Sequence, residues 1–101
     1  MAQTPEAKVK AAVRKLLVEM GVYYFSPASN GYGRACIPDI ICCVNGRFLA
    51  IECKAGNGKT TALQDREIAA IQAARGEAVV VNEESVSAIG PLLKALRARA
   101  R

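Results

Sequence analysis

The chain changes its apolar rhythm several times, and each change marks an element. In TPEAKVKAAVRKLLVEMG, the apolar side chains Val9, Val13, Leu16, Leu17 and Met20 recur at helical spacing. Thr4 offers an N-cap oxygen, Pro5 suits the first helical position and Gly21 a left-handed stop, so a helix is predicted between them. VYYFSPA reads as a strand, and SNGYGR, residues 29–34, as turn chemistry. IPDIICCV and RFLAIECK read as strands joined by Asn45-Gly46, with AGNGK after them as a flexible loop. TALQDREIAAIQAARG is predicted to be a second helix, capped by Thr61 and stopped by Gly76. AVVV reads as a short buried strand. In the last helix, SVSAIGPLLKALRAR, Gly90-Pro91 is expected to kink or restart the chain.

The order αβββαβα predicts an α/β fold with a mixed four-stranded sheet flanked by helices. The first three strands read as a meander; the fourth returns after a helix, which permits parallel pairing. With 101 residues the chain is expected to form one domain, residues 1–101, with a basic tail at about 97–101. No apolar run approaches the roughly 20 residues of a membrane span, and a cytoplasmic protein is expected.

Asn-Gly between two strand-forming runs signals a two-residue type I′ turn, which fixes the register. Val44 then faces Arg47, and counting outward brings Asp39 directly opposite Glu52. Opposed residues share a sheet face with Cβ atoms about 4.5–5.5 Å apart. Lys54, two residues past Glu52, joins them on that face. Ile40, Cys42, Val44, Leu49, Ile51 and Cys53 form the other face; Ile41, Cys43, Phe48 and Ala50 accompany the charges, so both faces are expected to be covered. Opposed carboxylates repel, more so where water is scarce. A proton, an ion pair with Lys54, or a divalent cation offsets that repulsion. Glu6 lies near the core-facing stripe of the first helix, where it equally suits the helix dipole. Gln64 stands at capping-box spacing from Thr61 and also precedes Ile68 and Ile71 on the inward face.

Charge and cysteine content narrow the chemistry. A net charge of +5 suits a polyanionic partner, although the terminal arginines account for part of it. The four cysteines include no C-x-x-C pair, and histidine is absent, so zinc spacing is missing. They read as small apolar core residues in a reducing compartment. Without Ser-His or Cys-His pairs, acyl transfer is disfavoured. GNGKTT lacks the first glycine of a phosphate loop, leaving Lys59 as a phosphate contact and no case for nucleotide hydrolysis.

Pro38-Asp39 followed by Glu52-Cys53-Lys54 resembles the signature of the PD-(D/E)XK nuclease superfamily. The helix carrying Glu6, the stretch NGYGRACIPD, the spacing from NGRFLAIECK to Gln64, and RGEAVVV extend the likeness over roughly residues 4–85, and it looks like the stand-alone VRR-NUC form found in phages and bacteria. The resemblance implies a restriction-endonuclease-like core and a catalytic set of Glu6, Asp39, Glu52, Lys54 and Gln64. Asp39, Glu52 and the Cys53 backbone carbonyl would hold Mg²⁺ or Mn²⁺, with Glu6 binding directly or through water. Lys54 would orient or deprotonate the attacking water, and Gln64 would steady the lysine or a phosphate.

The implied activity is metal-dependent, structure-specific endonuclease cleavage of a branched DNA substrate, resolving four-way junctions as a homodimer. Tyr32, Arg34 and Lys59 are the expected DNA contacts, and the first helix with SPASNGYGR the expected dimer contacts. The alternatives are a flap or other branched-DNA nuclease, and a DNA-binding module that keeps the fold without catalysis.

Overall fold

A computed structural model describes residues 3–28 and 34–99. Helix α1 spans Pro5–Glu19, strand β1 Tyr23–Phe25, β2 Ile40–Val44, β3 Arg47–Cys53, helix α2 Ala62–Ala73, β4 Glu77–Val81, and helix α3 Ile89–Ala98, which a 3-10 turn over Val86–Ala88 leads into. The sheet order is β1-β2-β3-β4, antiparallel except for the parallel β3–β4 pair. This is the mixed, helix-flanked sheet expected from the chain order. No helix among the described residues is long and apolar enough to cross a membrane.

The hairpin follows its turn. Asn45 and Gly46 both have positive φ, 53° and 80°, as a type I′ turn requires. Val44 pairs with Arg47 and Ile40 with Ile51, which is the register counted from the sequence. On one face Ile40, Cys42, Val44, Leu49, Ile51 and Cys53 pack with Val9, Val13 and Leu17 of α1 and Ile89, Leu93 and Leu96 of α3. These six helical side chains lie at helical intervals, so each helix turns one stripe inward.

The opposite face departs from expectation. α2 packs along β4, and none of its residues is buried. Cys43, Phe48 and Val80 remain exposed there, with Tyr23 and Phe25 alongside across the ladder from Cys43 and Ile41. Cys43 is therefore not a core thiol, and β4, an edge strand, buries only Val81. One helix cannot cover four strands; alternation along the strands reports which face a residue takes, not what lies over it.

Caps account for the helix ends. Thr4 accepts the Ala7 N–H at 3.1 Å. After α1, Gly21 at φ 66° donates to Val18 O, and Val22 donates to Leu17 O, a Schellman stop. The same motif ends α2, but Arg75, not Gly76, takes the left-handed position, at φ 70°. Gly76 is needed one residue later: a Cβ there would lie 2.9 Å from Ile71 Cγ2 and 3.2 Å from Phe48 Cδ1. The AGNGK loop is also tied down. Gly56 N–H donates to the Glu83 carboxylate at 2.8 Å, and Asn82 Nδ2 donates to Gly56 O at 3.3 Å. The final helix restarts at Ile89, after the 3-10 turn, so Pro91 falls in its first turn, where no intrahelical N–H partner is lost.

Candidate functional site

Glu52 is the one buried charged residue among those described, 3 % exposed. Strand β3 carries it onto the α2 face, at the end far from the turn. Burial raises its pKa to about 7, and repulsion from Asp39 adds to the rise against the opposing pull of Lys54. Two donors address the same oxygen: Lys54 Nζ lies 3.5 Å from Glu52 Oε2, and Gln64 Nε2 donates to it at 3.2 Å. Gln64 also caps α2. Its Oε1 accepts the Thr61 N–H at 2.9 Å, and its own N–H donates to Thr61 Oγ1. The amide thus fulfils both roles that the sequence left open, because its two ends point in different directions.

Asp39 stands one residue before the β2 ladder begins. Its Oδ2 accepts the Cys53 N–H at 2.8 Å, and its Oδ1 lies 3.1 Å from Lys10 Nζ. The bond to Cys53 ties the two halves of the hairpin beyond the regular ladder. Burial pulls the Lys10 pKa down, but the hydrogen bond and charge of Asp39, with the charge of Glu6, carry it above its ordinary value. Glu6 reaches the cluster only through Lys10, at 4.0 Å, and is itself 43 % exposed.

Asp39, Glu52 and Gln64 line a cavity of about 550 Å³. Lys10 and Arg14, one turn apart on α1, and Arg34 give it a basic rim. Arg34 Nε donates to Glu67 Oε1 of α2 at 2.7 Å. Lys59 is exposed on the β3–α2 loop and does not line the cavity; Tyr32 lies outside the described residues. Lys54 and Glu6 join this site through their ion pairs and not as part of its wall.

Sequence reasoning missed Lys10 and Arg14. The signal was available: Lys10 follows Glu6 by four residues, so whichever helix face brings Glu6 inward brings Lys10 too. The thiol of Cys53 is inert by contrast; burial, then the nearby carboxylates, push it up to about 12.

The donor set suits a hard cation. Two carboxylates repel each other across a cavity, and the charge of Lys54 and a backbone hydrogen bond from Asp39 offset that repulsion only in part. Among the described residues no three His, Cys, Asp or Glu side chains form a closed cage. A cation between Asp39 and Glu52 would therefore complete its shell with backbone oxygen and water, as Mg²⁺ commonly does.

Comparison with known proteins gives two findings. A family profile described as archaeal Holliday junction resolvase (Hjc) matches residues 8–81. A solved structure titled "VRR_NUC domain" superposes with a TM-score of 0.73 at 19 % identity, covering 88 % of this chain and 97 % of that one. At that identity the likeness concerns the fold. Curated proteins give no match.

Proposed function

Since the chain belongs to the archaeal Holliday junction resolvase family, we propose that it is a divalent-metal-dependent nuclease that hydrolyses phosphodiester bonds of four-way DNA junctions as a homodimer. The observation that carries this reading is the buried Glu52 repelled by the half-buried Asp39 at a cavity with a basic rim. Duplex arms carry a dense row of phosphates, and Arg14 and Lys10 face the space a backbone has to cross.

Asp39 and Glu52 would hold Mg²⁺ or Mn²⁺ by their side chains, with the Cys53 carbonyl as a third protein ligand. When bound, the ion supplies an acidified water and charge to offset the phosphoryl oxygens. The chain's own residues do the rest. Gln64 holds Glu52 from the α2 side and keeps its carboxylate turned to the cavity. The Cys53 N–H fixes one oxygen of Asp39. Lys54 places an ammonium beside Glu52, where it orients the attacking water or stabilises charge developing on phosphate. Two symmetric nicks across a junction require two such sites, which a two-fold dimer provides.

The test is cleavage of junction, flap, single-stranded and linear duplex DNA with Mg²⁺, with Mn²⁺ and with chelator. Paired nicks in the junction that stop in chelator are expected. Preferential flap cutting would transfer the assignment to a flap nuclease. Junction binding without cleavage under any metal would reduce the chain to a binding module.

A further inference from the structure

We infer that Lys10 is a tethered competitor for the cation on Asp39: its ammonium holds that carboxylate in the metal-free protein and has to leave before a divalent ion can bind. This rests on the metal-dependent reading above and gives Lys10 a role beyond the basic rim that reading assigns it.

Both oxygens of Asp39 are engaged. Oδ2 accepts the Cys53 N–H at 2.8 Å, and Oδ1 lies 3.1 Å from Lys10 Nζ. The two partners differ in mobility. Cys53 N–H belongs to the backbone of β3, fully buried in the sheet, and cannot withdraw. Lys10 is a four-carbon stem on α1 with a third of its side chain exposed, so it can swing. Oδ1 is therefore the oxygen an incoming ion can take, and the ammonium stands in its way. A divalent ion about 2.1 Å from that oxygen would lie within a few ångströms of the ammonium and repel it. Glu6, one helical turn back and 4.0 Å from Lys10 Nζ, offers the displaced ammonium another partner. The same arrangement gives Glu6 a role without making it a ligand.

The experiment is Mn²⁺ titration of the full chain by calorimetry, without DNA. It compares wild type, Lys10→Met, Lys10→Gln, Lys15→Met and Asp39→Asn. Lys15 is exposed on the same helix, so Lys15→Met removes an equal charge away from the site. Lys10→Met and Lys10→Gln are expected to bind Mn²⁺ about three- to fivefold more tightly than wild type, the range of a partly exposed ion pair removed from competition. Lys10→Gln keeps a hydrogen-bond donor for Asp39 and guards against a variant that fails to fold. Unchanged or weaker binding in both Lys10 variants would overturn the inference, as would an equal gain in Lys15→Met. Wild type and Asp39→Asn binding Mn²⁺ alike, or neither binding it, would instead remove the metal reading and this inference with it.

Discussion

The two faces of the sheet are built to different rules. Toward α1 and α3 the two central strands turn Ile40, Cys42, Val44, Leu49, Ile51 and Cys53, all buried against both helices, with the charged Arg47 and Glu77 confined to the hairpin end of that face. Toward α2 the same strands present Glu52 at one end and exposed Phe48 and Cys43 at the other, under a helix with no buried residue. Stability is concentrated on the first face, which frees the second to hold a carboxylate in a state that costs stability. A buried Glu beside Asp39 is tolerable only because the opposite face does not need this one as core.

Four measurements break or sharpen that contrast. Lys54→Ala or Glu52→Gln should reduce junction cleavage by about a hundredfold to ten-thousandfold, the range of a lost acid–base or charge-stabilising group, while circular dichroism stays native. Cleavage at the wild-type rate would mean that these groups are structural. On the dry face, Leu93→Ala should destabilise by about 2–5 kcal/mol in chemical denaturation, because its side chain is wholly buried between α3 and the sheet. A loss below about 1 kcal/mol would show that the core lies elsewhere.

The third measurement is pH. Glu52 ionises at about 7 when folded against an ordinary value of 4.5. Below 4.5 the group is protonated in both states, so its contribution is fully present; as pH rises toward 7 and beyond, the unfolded chain ionises more readily and that contribution is lost. In chelator, wild type should therefore lose stability between these values, and Glu52→Gln should flatten the fall. An identical profile in the variant would assign the loss to other groups. The smallest effect separates cap from site. Thr61→Ala and Gln64→Ala should each cost about 1 kcal/mol through the shared capping box, yet only Gln64→Ala should also change cleavage, since only Gln64 touches Glu52.

Much of this was legible in order along the chain. The Asn45-Gly46 turn sets every pairing through Ile40–Ile51 by counting, and the division of side chains between faces follows from it. Counting put Asp39 inside a strand, paired with Glu52; the regular ladder stops at Ile40–Ile51, and Asp39 stands just past it, where its side chain takes the Cys53 N–H, a bond that the register does not foretell. Gln64 presented two roles, and only geometry reveals that one amide performs both. Lys10 was overlooked because its partner is twenty-nine positions away on another element; helical spacing marks a face, and docking decides what that face meets. Gly76 was read as the helix stop when its lack of a side chain serves packing against Phe48.

The tight turn at Asn45-Gly46 also orders events in time. A two-residue hairpin closes in about 1–10 μs, whereas parallel pairing of β3 with β4 has to close the much longer α2 crossover. Asp39 and Glu52 ride on that hairpin, so they are brought together at the start of folding. Lys10 and Gln64 belong to α1 and α2, so a hairpin onto which neither helix has docked lacks both. The nascent hairpin therefore carries its mutual repulsion alone, and the rate at which it nucleates should respond to ions and acidity before any helix has docked.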